Sequence, residues 1–378
     1  MFKQWIEKQK IKSKMHKCFR HCKMYHEKKQ GDKKIRIYPQ IVNIRPLEDR
    51  LEVVFILQTG LSTEAIDETI FKQVFGKNIE IKHDKIKKCV LNVYKNGIPK
   101  TVNYDFNLIK NHVAKMQIPF ICGLDIHGEL IIIDLATEAH LLLSAETGGG
   151  KSSLLRANIT FLIELNGNYE LYLMDLKRSE FGMFRNCRNV KGVYITTSDI
   201  LPTLKKIEKE MKHRGDLLDQ HEVNSIDELD IKLKRILVVI DEVALLRKEK
   251  EIMSIVEDIS SIGRSLGVHL VLSMQRPDSK ILESGNLKNN LRVRISGRQS
   301  NSMNAKVAGV EGAENIGMNQ RGRMLIKLDD IREFQGFYLN SAEAKMILKN
   351  YKVKGHVQAE PEQQQEIKSE NILGVLDE

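Results

Sequence analysis

Residues 148–152 read Gly-Gly-Gly-Lys-Ser, directly after the apolar run HLLLSA (140–145) and before a helix-forming stretch. Glycines let backbone N–H groups fold around phosphate oxygens, and the helix that follows adds the positive end of its dipole. In such a loop Lys151 reaches the outer phosphates of a nucleoside triphosphate, and the Ser152 hydroxyl holds Mg2+. The strict pattern wants glycine at 145, where this chain has Ala145. Alanine is acceptable there if the backbone needs no left-handed angle. A second element makes hydrolysis credible. The run RILVVIDE (235–242) ends in Asp241 and Glu242. Asp241 can order the water shell around Mg2+, and Glu242 can polarise the attacking water. Another apolar run, GVHLVLSMQ (267–275), ends in Gln275, placed to sense the γ-phosphate or hold that water. Phosphoryl transfer also calls for positive charge in the transition state. Arg264, Arg276, Arg292, Arg294 and Arg298 crowd into this region, and the sequence does not say which faces a neighbour's nucleotide. ATP with Mg2+ is the expected ligand.

The elements that must position these groups are legible as a rhythm. Apolar runs at 140–145, 169–175, 235–242 and 267–275, with LRVRISG at 291–297, alternate with helical stretches. Runs apolar throughout suit a mostly parallel sheet covered on both faces, so 139–354 reads as an α/β nucleotide-binding domain. Before it, 37–138 reads as a small α+β domain without catalytic signs. Its β-like runs are LEVVFIL (51–57), CVLNVY (89–94) and ELIIIDL (129–135), with a helix over 63–75 capped by Thr63 and a hairpin turn at His127 and Gly128. Residues 1–36 carry thirteen Lys and Arg against three acids. They predict a basic amphipathic arm for anionic lipid, a partner protein or DNA, or else a solvated helix capping the next domain. Cys18, Cys22 and His26 can share a helix face, but no second half of a zinc site accompanies them, and zinc is not expected. Residues 355–378 hold six acids and one lysine and read as a tail without regular structure.

The whole chain bounds the function further. Its 378 residues allow two or three units, and 42% hydrophobic content suffices for a core. Five scattered cysteines argue against a disulfide scaffold, and no apolar run reaches the length of a membrane span. The net charge of +10 favours a polyanionic partner. The expected location is the cytoplasm, with the inner face of the membrane reachable through the basic start.

Several stretches together resemble the motor domain of the FtsK/SpoIIIE DNA translocase family, including its conjugative coupling-protein relatives, over roughly 138–340. TGGGKS (147–152) resembles the family's phosphate loop, and VVIDEVALL (238–246) its acidic strand end. YLMDLKRSEF (172–181) resembles a segment containing D-P-K, with Leu176 in place of proline. The run IGRSLGVHLVLSMQRPDSKILESGNLKNNLRVRISGRQS (262–300) is the most specific. The resemblance implies a RecA-like P-loop NTPase motor that moves double-stranded DNA through a hexameric ring. It implies that Thr147, Gly148, Gly149, Gly150, Lys151, Ser152 and Ser153 bind nucleotide. Asp241 and Glu242 then act in hydrolysis, Ser152 and Asp241 hold the metal, and Gln275 is the nucleotide sensor. Arg264 and Arg294 resemble arginines near the subunit boundary, either being a candidate for a trans-acting finger. The family's D-S-R segment appears here as Asn304, Ala305 and Lys306. The short architecture resembles mobile-element proteins for plasmid or integrative-element transfer or maintenance, with a relaxase as possible partner. Two alternatives stand beside it: a replication or DNA-packaging motor, and a nucleotide-gated adaptor that docks a relaxase–DNA complex.

Overall fold

The computed structural model describes residues 2–30, 33–84, 87–282 and 287–353, so the acidic segment 355–378 lies outside the described residues. The chain begins with α1 (Phe2–His21), followed by the antiparallel hairpin of β1 (His26–Gln30) and β2 (Lys33–Ile37). β3 (Gln40–Pro46), β4 (Arg50–Ile56), α2 (Glu68–Phe75), β5 (Ile79–His83) and β6 (Lys88–Tyr94) come next. The last four strands form an antiparallel sheet in the order β3-β4-β6-β5. Ile11, Met15, Cys18 and Phe19 make one stripe along α1, continued by Cys22 just past its end, and that stripe packs with Phe55, Leu91 and Phe71. The boundary expected at residue 36 therefore cuts through a packed core: α1 is a structural part of the small unit. Cys18 lies inside this core, where burial pushes its thiol up to about 12. The helix expected over 63–75 is shorter than that. Ser62 caps a brief 3-10 turn, and Asp67, not Thr63, caps α2 by accepting from the Thr69 N–H.

A second sheet of eleven strands carries the rest. It takes in β7 (Val102–Asn103), β8 (Pro119–Asp125) and β9 (Leu130–Asp134), with α3 (Phe106–Lys110) between β7 and β8 and α4 (Leu135–Glu138) after β9. The segment 102–134, placed by its sequence in the small domain, thus pairs with strands some two hundred residues later. Next come β10 (His140–Ser144), α5 (Lys151–Leu165), β11 (Tyr169–Asp175), β12 (Val190–Tyr194) and α6 (Thr197–Gln220). They are followed by β13 (Arg235–Asp241), α7 (Lys250–Leu266), β14 (Val268–Met274), α8 (Ser279–Leu282), α9 (Leu287–Asn290) and β15 (Val293–Ser296). The chain closes the sheet with α10 (Ser302–Ala308), β16 (Arg323–Lys327), β17 (Ile331–Tyr338) and α11 (Ser341–Lys349).

Strand order is β12-β11-β13-β14-β10-β15-β16-β17-β8-β9, with β7 on β17. The six strands from β12 to β15 are parallel; those from β16 to β9 pair antiparallel, and β7 lies parallel to β17. β10, β13 and β14 are buried along their whole length because both faces are covered. Leu141 and Leu143 point into one core with Leu154 and Ile159 of α5. Leu142 points into the other, with α6 and α7. This is the α/β architecture of a RecA-like P-loop motor with a mostly parallel sheet. No helix among the described residues is long and apolar enough to cross a membrane.

At the amino ends of the central strands two histidines are buried side by side, His140 and His269. His140 Nδ1 accepts from the Leu270 N–H (3.1 Å), and His269 Nε2 faces the Arg235 guanidinium (3.1 Å). Arg235 in turn makes a bidentate pair with Asp227. Burial pulls His140 down to about 4, and burial with the Arg235 charge pulls His269 down to about 3. Both rings are neutral in the folded protein and free to protonate once unfolded. Stability should therefore be flat above about pH 6.5 and fall by several kcal/mol, to order of magnitude, as pH drops towards about 4. Denaturant unfolding at pH 7 and pH 5, with ring-proton NMR, checks this. Ring signals that titrate near pH 6.5 in the folded state would contradict it.

Candidate nucleotide site

The carboxyl ends of β10, β11, β13 and β14 lie on one side of the sheet, and a cavity of about 670 Å³ opens beside those of β10 and β14. Its floor is the loop after β10 with the first turn of α5. Its walls include Lys100 and Thr101, residues 321–322 before β16, and the end of β17. Gly150 precedes α5 with φ +101° and no side-chain cap, so the first amides of a fifteen-residue helix are left for a ligand. A Cβ at Gly150 would stand 2.7 Å from Gly322 Cα, whereas one at Gly148 (φ +82°) would meet open space. The loop is thus pinned at one glycine and open at another.

Lys151 is buried, and its Nζ donates to the Asp241 carboxylate and to Ser273 Oγ (3.1 Å). Ser273 donates onward to Asp241 (2.9 Å). Glu242 is only 6% exposed and sits in a left-handed backbone conformation (φ 60°, ψ 62°) just past β13. A non-glycine residue there is strained, and such strain clusters at functional sites. Its carboxylate accepts from the Gln275 N–H (3.1 Å) and from Lys177 Nζ (2.8 Å). Lys177 is set by Asp175 at the end of β11, whose buried carboxylate accepts from the N–H groups of Ser179, Glu180 and Phe181 and shapes the turn.

The structure thus brings Lys151, Asp241, Glu242 and Gln275 together beside residues 147–153. Thr147 and Gly148 are exposed at the mouth, and Ser152 lines the cavity. Ser153 lines it too, but its hydroxyl is engaged with the Leu339 backbone, accepting from the N–H at 2.9 Å. The two arginines are elsewhere. Arg264 is exposed in the last turn of α7 and does not line the cavity. Arg294 is turned inward: it donates to the carbonyls of Leu291 (3.1 Å) and Lys288 and packs on Gly309. Burial lowers its pKa. Arg298 pairs with Glu146 at 2.5 Å, fastening the loop to the strand end after β15.

Two residues with evident parts here were assigned none from sequence, Lys177 and Ser273. Each left a signal. Ser273 is the small polar residue inside the apolar run 267–275, and Lys177 stands two residues beyond a strand-end aspartate. For a magnesium nucleotide the donor chemistry fits: a hydroxyl on Ser152 and a carboxylate on Asp241 are hard oxygen donors, beside a glycine loop with room at Gly148.

Comparison with known proteins bears on this arrangement. The FtsK/SpoIIIE family profile matches residues 105–235, beginning in the antiparallel flank and taking in the glycine loop. The chain is 30% identical over 223 residues to "DNA translocase FtsK" of Borreliella burgdorferi, covering 55% of this chain and 28% of that one. The Treponema pallidum protein of the same name is 30% identical over 261 residues, covering 64% and 32%. Over residues 105–235, about a third of its length, the chain is similar to the FtsK/SpoIIIE family. Its fold and this match are those of P-loop ATPases. It also resembles the solved pCW3 conjugation coupling protein TcpA, in its monomer form with ATPγS. That likeness has a TM-score of 0.60 and 26% identity, over 83% of this chain and 94% of the other. The cytoplasmic domain of the Thermomonospora curvata Type VII secretion ATPase EccC shares the fold (TM-score 0.54, 23% identity, 64% of this chain and 31% of that one). Matched regions span about a third of the length of the two curated FtsK/SpoIIIE relatives.

Proposed function

We propose that this chain hydrolyses ATP in the cavity and uses the turnover to move double-stranded DNA through a ring of six copies. We place it in the cytoplasm, in transfer or maintenance of a plasmid or integrative conjugative element, with a relaxase among its partners. The meeting of Lys151, Asp241, Glu242 and the Gln275 N–H at three adjacent strand ends carries the proposal. The extent of the likeness to a conjugation coupling protein supports the transfer role.

In this reading the loop amides of 148–152 and the start of α5 receive the phosphates. Ser152 and Asp241 would hold Mg2+, which when bound neutralises phosphate charge. Lys151 exchanges Asp241 for phosphate oxygens. Glu242 takes the proton of the attacking water, and Gln275 lies beside it. ATP turnover measured with and without duplex DNA, together with displacement of a bound roadblock, tests the motor. No stimulation and no displacement, with tight relaxase binding, would replace it by the adaptor.

Before Glu242 can accept a proton it must give up Lys177, a charge-assisted bond of about 1.5–3 kcal/mol. Lys177 therefore acts as a restraint on idle hydrolysis. Lys177→Met should raise DNA-free turnover about tenfold or more and shrink the DNA-stimulated ratio, while Lys177→Arg stays near wild type. Steady-state phosphate release reads this. A Lys177→Met protein no faster than wild type without DNA would remove the restraint.

A further inference from the structure

The small unit carries a large positive surface that the nucleotide site does not use. Among the described residues from Trp5 to Ile37, eleven exposed lysines and arginines stand against two exposed carboxylates, Glu7 and Glu27. Glu27 is already paired with Lys34 and Arg36. On α1, Lys10, Ser13, Lys17 and Arg20 follow an i, i+3, i+7, i+10 spacing, which at 100° per residue makes one stripe. That stripe points away from the buried stripe of Met15, Cys18 and Phe19. The hairpin of β1 and β2 extends the surface with Lys29, Lys34 and Arg36, which share one face of the ribbon and are all exposed. The two parts are joined through Tyr38, whose ring meets His16 (5.3 Å) and Tyr25 (5.6 Å), with the Arg36 guanidinium 4.6 Å over Tyr25.

We infer that this face is a second, sequence-independent contact for the backbone of double-stranded DNA, outside the motor sheet. The choice of DNA over an anionic bilayer follows from packing. A helix that lies on a membrane dips an apolar face into it and keeps its cations at the edge. In α1 that apolar face is spent on the core of the small unit, and the outward stripe is cationic and polar. Such a surface attracts a line of phosphates by charge and releases their counterions, without needing apolar insertion. Its place in the chain suits a tether that holds duplex near the motor between strokes.

The inference rests on the DNA-motor reading, and its test separates the two. The full-length chain and its Lys10→Gln/Lys17→Gln/Arg20→Gln variant are titrated with a duplex of arbitrary sequence at several salt concentrations, without nucleotide. A Lys29→Gln/Lys34→Gln variant serves as a second, independent probe on the hairpin. All five side chains are exposed, so DNA-free ATP turnover should be unchanged in both. The helix variant should bind about tenfold or more weakly at low salt. Its salt-dependence slope should flatten by about 3, roughly 0.9 per lost phosphate contact. Identical affinity and slope in both variants would overturn the inference while leaving DNA-stimulated turnover, and with it the motor, intact. Normal loss of binding in the variants of a protein that shows no DNA-stimulated turnover would sink the motor and keep the face. Co-sedimentation with phosphatidylglycerol vesicles that the helix variant abolishes, with its DNA affinity unaltered, would assign the face to lipid and overturn the proposal.

Discussion

Lys151→Ala is expected to abolish ATP turnover, and Glu242→Gln to keep nucleotide binding while slowing hydrolysis by a factor on the order of 10²–10⁴. The two differ because they fail at different points. Without Lys151 the phosphates lose their buried cation, and Asp241 is left buried with Ser273 as its remaining side-chain partner. Breaking a buried pair from one side costs about 3–5 kcal/mol, so the alanine variant should also melt earlier. Adding Asp241→Asn should restore part of the melting temperature and none of the activity. Glutamine at 242 still accepts from the Gln275 N–H but cannot take a proton. Nucleotide affinity, phosphate release and thermal melting on the same preparations separate these effects. Wild-type turnover in Glu242→Gln would remove the assignment of the base.

The second large effect is expected at the boundary between copies. Arg264→Ala should cost up to about 10³–10⁵ in turnover if Arg264 enters the neighbour's site. Mixing it with Glu242→Gln subunits should then recover activity, because some interfaces contain both an intact arginine and an intact base. Arg294→Ala is expected to behave otherwise. Its guanidinium ties the end of α9 to β15 and packs on Gly309, so its loss should lower stability and should not be rescued by mixing. Sedimentation with ATP and DNA reports the assembly in parallel. A monomer under those conditions, with turnover per chain independent of concentration, would end the trans-site reading.

Much of the nucleotide side of this molecule was legible in the sequence, for a local reason. A phosphate loop is built by consecutive residues, and buried parallel strands are apolar along their length, as β10, β13 and β14 are. The antiparallel flank was not legible in the same way. β8 pairs with β17 across some two hundred residues, and no spacing within 102–134 encodes a partner so distant. α1 showed the converse problem. Its basic composition dominated the reading, while the apolar stripe said only that something is covered, not that β4 and α2 cover it. Lys177 was visible as a residue but not as a contact. Its meeting with Glu242 exists because β11 and β13 are neighbours in register, Asp175 beside Asp241. Arg294 misled in the other direction: a charged residue in a strand reads as a surface group, yet its guanidinium is folded in against the Leu291 and Lys288 carbonyls and Gly309.

The glycine-to-glycine contact between 150 and 322 has a mechanical meaning. Gly322 N–H donates to the Gly149 carbonyl (3.2 Å), and the Gly336 N–H donates to Gly322, so the loop is geared to the hairpin of β16 and β17. Beside Gly322, Arg323 is held by Glu333 and Gln335 and grips the carbonyls of Ile98 and Pro99 (3.2 Å each). Those two residues lie on the strap leading back to the small unit. Close-packed contacts do not absorb displacement; they hand it on. In the proposed motor, a shift of the loop upon hydrolysis is therefore delivered to the strap, which would make the small unit the output shaft and the inferred DNA-binding face its grip.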